Sequence, residues 1–100
     1  MKVAIAVFRN VISPRLDTSD SLLIYDIDKD VVNKKEKCSL TFDQPDQLTS
    51  ILLKKEITAV ICGACPQYFS RILLFHGVDV LTGLTGEPEN IIKMLISGQL

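Results

Sequence analysis

Val3-Ala4-Ile5-Ala6-Val7-Phe8 is apolar at every position, the pattern of a strand covered on both faces in the middle of a sheet flanked by helices. The competing reading of such an N-terminal stretch is a signal peptide. The run is short, however, Arg9 interrupts it, and no small-residue cleavage site follows, so it is read as the central strand of an α/β domain.

Working outward, Arg9 to Asp20 is a polar loop in which Pro14 excludes regular helix and Asn, Ser and Asp offer local turn bonds. Loops this long tend to be functional or mobile, which makes this one a site candidate. Leu22 to Asp28 reads as a second strand, Asp28-Lys29-Asp30 as a turn, and Val31 to Leu40 as a third strand, together an antiparallel hairpin. Lys34, Lys35, Glu36 and Lys37 on the third strand fit an exposed sheet edge guarded by charge. Asp30 and Glu36 interrupt the basic run and no aromatics interleave with it, so it lacks the make-up of a nucleic-acid groove.

Asp43-Gln44-Pro45 resembles a helix start, with Leu48, Ile51 and Leu52 as an apolar stripe and Lys54 and Lys55 complementing the helix dipole at its end. Ile57 to Ile61 is a fourth, β-branched strand. The helix that follows, from Gln67 to His76, pairs Tyr68, Ile72 and Phe75 on one side with Phe69 and Leu73 beside them. His76 at its last turn is read as a cap or dipole partner. Val78 to Thr82 is a fifth strand, and a helix with Pro88 in its first turn and Ile91, Ile92, Leu95 and Ile96 along its apolar face runs to Gly98. The order β-β-β-α-β-α-β-α predicts a mixed five-stranded sheet with helices on both faces.

The totals bound the function. One hundred residues make one domain, expected to span residues 1–100 and to bury a core without disulfides. With 47% hydrophobic and 23% charged residues the chain is globular, not disordered. A formal charge of −1 supplies no large electrostatic attraction to nucleic acid or anionic membrane. No apolar run approaches a membrane span, so a cytoplasmic protein is expected. Three cysteines, an odd number, fit a reducing compartment, where a close pair is more often metal-binding or redox-active than a structural staple.

That close pair is Cys62-Gly63-Ala64-Cys65, placed where the fourth strand hands over to a helix. A helix N-terminus favours thiolate, suited to metal ligation and to disulfide exchange alike, whereas buried cysteines often serve as small hydrophobes. If the first, fourth and fifth strands are parallel neighbours, their carboxyl ends open on the edge where α/β folds bind ligands. The Arg9 to Asp20 loop, the Cys62 to Cys65 turn and the Thr82 to Gly86 turn would then meet in one crevice. Gly83 and Gly86 are either an anion-binding nest or plain turn glycines.

Met1 to Val7, Ile12-Ser13-Pro14-Arg15-Leu16-Asp17 and the strand ending Tyr25-Asp26-Ile27-Asp28 resemble the opening of the dinitrogenase iron-molybdenum cofactor biosynthesis family. Gly77 to Gly83 and the closing Ser97-Gly98-Gln99-Leu100 resemble its last strand and helix. The resemblance implies a ribonuclease H-like α/β fold. It also implies a role in binding or carrying iron-sulfur clusters and cofactor precursors, as the larger members do in nitrogenase cofactor assembly. Many small members have Ser-Pro-His-Phe-Gly where this chain has Ser13-Pro14-Arg15-Leu16-Asp17. The histidine ligand is therefore replaced by an arginine, which cannot ligate a metal but can grip an anionic cluster or a carboxylate.

The leading expectation is a non-enzymatic carrier of an iron-sulfur cluster or iron-containing precursor, with zinc as the alternative metal. Cys62 and Cys65 would be metal ligands, and Arg15, Asp17, Gly63 and Gly83 would contact the cofactor. Two thiolates do not complete a site, so the remainder would come from Cys38, a cluster sulfide or exogenous thiol, or a second subunit in a homodimer. A thiol-disulfide protein is the second expectation, since Cys-x-x-Cys followed by Pro66 resembles the thioredoxin active site, although no tryptophan precedes the pair. A ribonuclease H-like nuclease using Asp17, Asp26 and Asp28 is the third.

Overall fold

β1 (Lys2–Phe8) runs through the middle of the sheet because from Val3 onward it has an apolar side chain for each face at every step. A computed structural model describes residues 1–41 and 47–100 of the chain. The expected helix start at Asp43-Gln44-Pro45 lies outside the described residues. Ala4 and Ala6 face one hydrophobic cluster, while Val3, Ile5 and Val7 face another. All but Val7 are fully buried.

After β1 the chain forms β2 (Val11–Ile12), β3 (Ser21–Asp28), β4 (Val31–Ser39), α1 (Gln47–Lys54), β5 (Ala59–Ile61), α2 (Gln67–Phe75), β6 (Asp79–Leu81) and α3 (Pro88–Ile96). Five strands lie in the order β4-β3-β1-β5-β6, and β2 pairs with β1. β1 is antiparallel to β3, and β3 to β4, whereas β1, β5 and β6 are parallel. This is the mixed α/β sheet expected. α1 and α2 cover one face through Leu48, Leu52, Phe69 and Leu73. α3 covers the other through Ile91 and Ile92.

The sheet has six strands, not five, and the correction lies in the loop after β1. Arg9 and Asn10 both adopt positive φ, 52° and 70°, making a two-residue hairpin turn that folds Val11–Ile12 back onto β1. Such turns usually announce themselves with Asn-Gly or Asp-Gly, and this one has no glycine. Arg9 is held instead by its backbone N–H donating to Asp20 Oδ2 at 2.9 Å and by its guanidinium 5.1 Å over the Phe8 ring. The rest of the loop is also structured, with a 3-10 turn at Leu16–Thr18 whose Leu16 is fully buried.

Candidate functional site

Three connections meet beyond the carboxyl ends of β1, β5 and β6, and main-chain hydrogen bonds join them. Gly63 N–H donates to Ser13 O at 2.9 Å, Leu16 N–H to Ala64 O at 2.8 Å, and Gly83 N–H to Gly63 O at 2.7 Å. Ile12 N–H reaches Gly86 O at 2.8 Å. The convergence expected from topology is therefore present, held by short main-chain bonds. Ser13, fully buried, donates its hydroxyl to Arg15 O at 2.5 Å and so fixes the turn that presents Arg15.

The two site glycines serve this joint. A Cβ on Gly63 would lie 2.7 Å from Pro14 O and 2.9 Å from Ser13 O, inside any tolerable contact, so no other residue lets the two backbones approach. Gly83 has φ +79° with open space where a Cβ would go. It is needed for its backbone conformation, and its N–H is already spent on Gly63 O. Both glycines shape the rim.

Arg15 and Asp17 form a two-pronged pair, Nε to Oδ1 at 2.9 Å and Nη2 to Oδ2 at 3.1 Å. The Arg15 side chain is 54% exposed. The guanidinium holds the Asp17 carboxyl below the usual carboxylate range by its hydrogen bond, and Asp17 raises Arg15 in return. Cys65 lies half-buried near the same carboxylate: burial first, and the Asp17 charge second, push its thiol up. Tyr68, the second residue of α2, is near enough to add a small push to the raised Arg15 guanidinium. Its contribution was hidden in the sequence because the same position belongs to an apolar helical stripe.

Cys62 sits differently. It follows directly on β5 and lies on the face of α1 and α2, fully buried among Ala6, Leu16, Val60 and their neighbours. Burial, with a smaller push from Cys65, raises its thiol from 9.0 to about 12. α2 begins at Gln67 with Pro66 as its N-cap, and burial is the largest influence on both sulfurs, pushing both thiols up. Disulfide exchange would need a lowered thiol pKa. All three cysteines are free thiols.

Cys38 is out of reach. It pairs with Leu22, Leu22 with Ala6, and Ala6 follows Ile5, the partner of Ile61, so Cys38 and Cys62 occupy one row three strands apart. At about 4.8 Å per strand they are separated by about 14 Å, several times what a shared metal allows. Among the described residues no group of three or more His, Cys, Asp or Glu could hold a metal ion. The nuclease carboxylates are not assembled either. Asp26 pairs with Lys2 at the start of β1, whereas Asp17 lies past the end of that seven-residue strand, roughly 20 Å away along it. His76 caps α2, its N–H bonded to Ile72 O and Leu73 O. Among the described residues no helix is long and apolar enough to cross a membrane.

The fold is shared with several solved proteins. The protein PH0822 superposes with a TM-score of 0.91 at 22% identity, covering 98% of this chain and 90% of its own. A candidate dinitrogenase from Methanocaldococcus jannaschii gives 0.85 at 20% identity, over 100% of this chain and 91% of its own. A candidate NifB protein from Thermotoga gives 0.79 at 20% identity, over 98% and 89%. At these identities the likeness is one of fold alone. No curated protein matches the chain. The family model described as dinitrogenase iron-molybdenum cofactor matches residues 1–98, nearly every residue of the sequence, and the chain belongs to that family.

Proposed function

We propose that the chain binds and carries an iron-containing cargo, an iron-sulfur cluster or a cofactor precursor, and passes it on without catalysing a reaction. One observation carries this reading: a half-buried thiol, Cys65, and an exposed guanidinium, Arg15, share a neighbour in Asp17 on a rim of bonded backbone. The family's name supports the cofactor theme. Arg15 would exchange Asp17 for the anionic ligands of the cargo, for which its fork of donors is shaped.

Cys65 would make the first bond to metal. Cys62 would make a second only when the turn opens, since ionising a thiol with a pKa of about 12 at pH 7 costs about 7 kcal/mol, which the metal must supply. Gly63 and Gly83 would hold the rim against the cargo. A single chain thus supplies one ready thiol, fewer than the four ligands of a resident cluster or structural zinc. Few protein ligands suit a carrier, because a cargo held by one or two bonds can be handed over. Zinc, completed by exogenous ligands, is the alternative cargo.

The test is an anaerobic titration with a synthetic thiolate-capped four-iron four-sulfur cluster, followed by visible absorbance. The native chain takes up cluster, Cys65→Ser binds at least about tenfold more weakly, and Arg15→Gln loses about tenfold through one charge-assisted contact. Equal uptake by the native chain and a Cys62→Ser/Cys65→Ser double variant would sink the proposal.

A further inference from the structure

α2 keeps Gln67, Ser70 and Arg71 on one stripe and is apolar over the rest of its surface. Phe69 and Leu73 are buried against the sheet, yet Phe75 is 86% exposed, Leu74 72%, Tyr68 58% and Ile72 40%. Arg71 is the single charged residue in the helix. Exposed apolar side chains gathered on one helix mark an interaction surface. At about 150–250 Å² for each aromatic, and somewhat less for each aliphatic, these four side chains expose roughly 500 Å² of apolar surface. A standard interface takes about 800 Å² from each partner, with about 65% of its core apolar, so this face carries about what one side of a stable dimer needs.

The face continues onto a sheet edge. A depression of about 470 Å³ beside α2 is lined by Ser70, Leu74, Val78, Asp79, Val80 and Leu81. β6 ends the sheet on this side. Asp79 N–H donates to Thr58 O at 3.0 Å and Leu81 O accepts from Cys62 N–H at 3.1 Å, so both residues turn their backbone groups toward β5. Val80, between them, turns its N–H and C=O outward. The other edge, β4, carries Lys34, Lys35, Glu36 and Lys37, charges that discourage pairing with another strand. The β6 edge has no lysine or arginine.

We propose that a second copy of this chain docks here, its β6 running antiparallel to this one about a two-fold axis at Val80. Val80 then donates to the partner's Val80 and accepts from it, a self-complementary pair supplied by one residue. Asp79 lies opposite the partner's Leu81, so like charges do not meet between the paired strands. The two α2 helices lie antiparallel across the axis and cover each other's Tyr68, Leu74 and Phe75. Because Cys65 precedes α2, the two carrier sites stay at opposite ends of the interface, and the dimer depends on neither cargo nor thiols.

Sedimentation equilibrium of the full chain in reducing, metal-free buffer tests this. The native protein sediments at twice the 11.1 kDa chain mass. A Leu74→Glu/Phe75→Glu variant, altering side chains that are mostly exposed, keeps its far-UV helix signal and associates at least about a hundredfold more weakly. Should that double variant lose helix, Phe75→Glu alone makes the same comparison. Val80→Pro, which removes the outward donor, also dissociates the dimer, whereas Cys62→Ser/Cys65→Ser remains dimeric. A native chain that stays monomeric at hundreds of micromolar overturns the proposal and leaves the face to some other protein. A dimer that survives the charged variants overturns it as well.

Discussion

Two sulfurs three positions apart have opposite surroundings, and the difference is measurable. Cys62 is neutral in the fold up to a pKa of about 12 but ionises near 9.0 once unfolded. Below pH 9 both states are protonated and stability is unaffected. As pH rises through that window the unfolded state loses its proton first, and stability falls by about 1.4 kcal/mol per pH unit. Urea denaturation between those pH values should therefore show a shallower alkaline loss for Cys62→Ala than for the native chain, by about that slope. Cys65 answers to Asp17, whose charge raises its thiol. Asp17→Asn removes that charge and releases Arg15, and both changes favour the thiolate, so alkylation of Cys65 by iodoacetamide at pH 7 should accelerate severalfold, while Cys62 stays unreactive until the protein unfolds.

At the scale of elements, the turn after β5 is a joint whose geometry is set by a distant segment. Gly63 is packed against Pro14 O at 2.7 Å and Ser13 O at 2.9 Å, so Gly63→Ala must push two backbones apart and should cost about 1–3 kcal/mol by urea denaturation. The β3–β4 turn is the converse case. Lys29 and Asp30 sit at φ 52° and 63°, a conformation that Asn-Gly adopts more easily, and Lys29→Asn with Asp30→Gly should stabilise the protein by about 0.5–1 kcal/mol in the same measurement. These turns mark where the sequence was readable and where it was not. β1 could be read from its unbroken apolar run, and the β3–β4 hairpin from its spacing. β2 could not, because the Arg9-Asn10 turn lacks the glycine that signals such geometry and draws its support from Asp20, eleven residues on. The need for glycine at position 63 was equally hidden, since it arises from a segment nearly fifty residues earlier.

At the scale of the molecule, the parallel trio β1, β5 and β6 brings the Arg15 loop, the Cys62 to Cys65 turn and the Gly83 turn to one edge. That much followed from the order of strands alone. Which thiol stands at the surface did not, because it depends on where β5 ends and how α2 leans on the sheet: Cys62 continues the strand into the core and Cys65 steps out beside Asp17. The separation of Cys38 from the pair likewise needed the register of four strands. What emerges is a hydrogen-bonded rim with one half-exposed sulfur and one cationic fork, the two groups that the proposed carrier role would use to grip an anionic metal cargo. The iron and acid-labile sulfide content of anaerobically purified protein tests this most directly. The native chain should carry both, and Cys65→Ser should retain at most about a tenth of them; iron and sulfide unchanged in Cys62→Ser/Cys65→Ser would contradict the account.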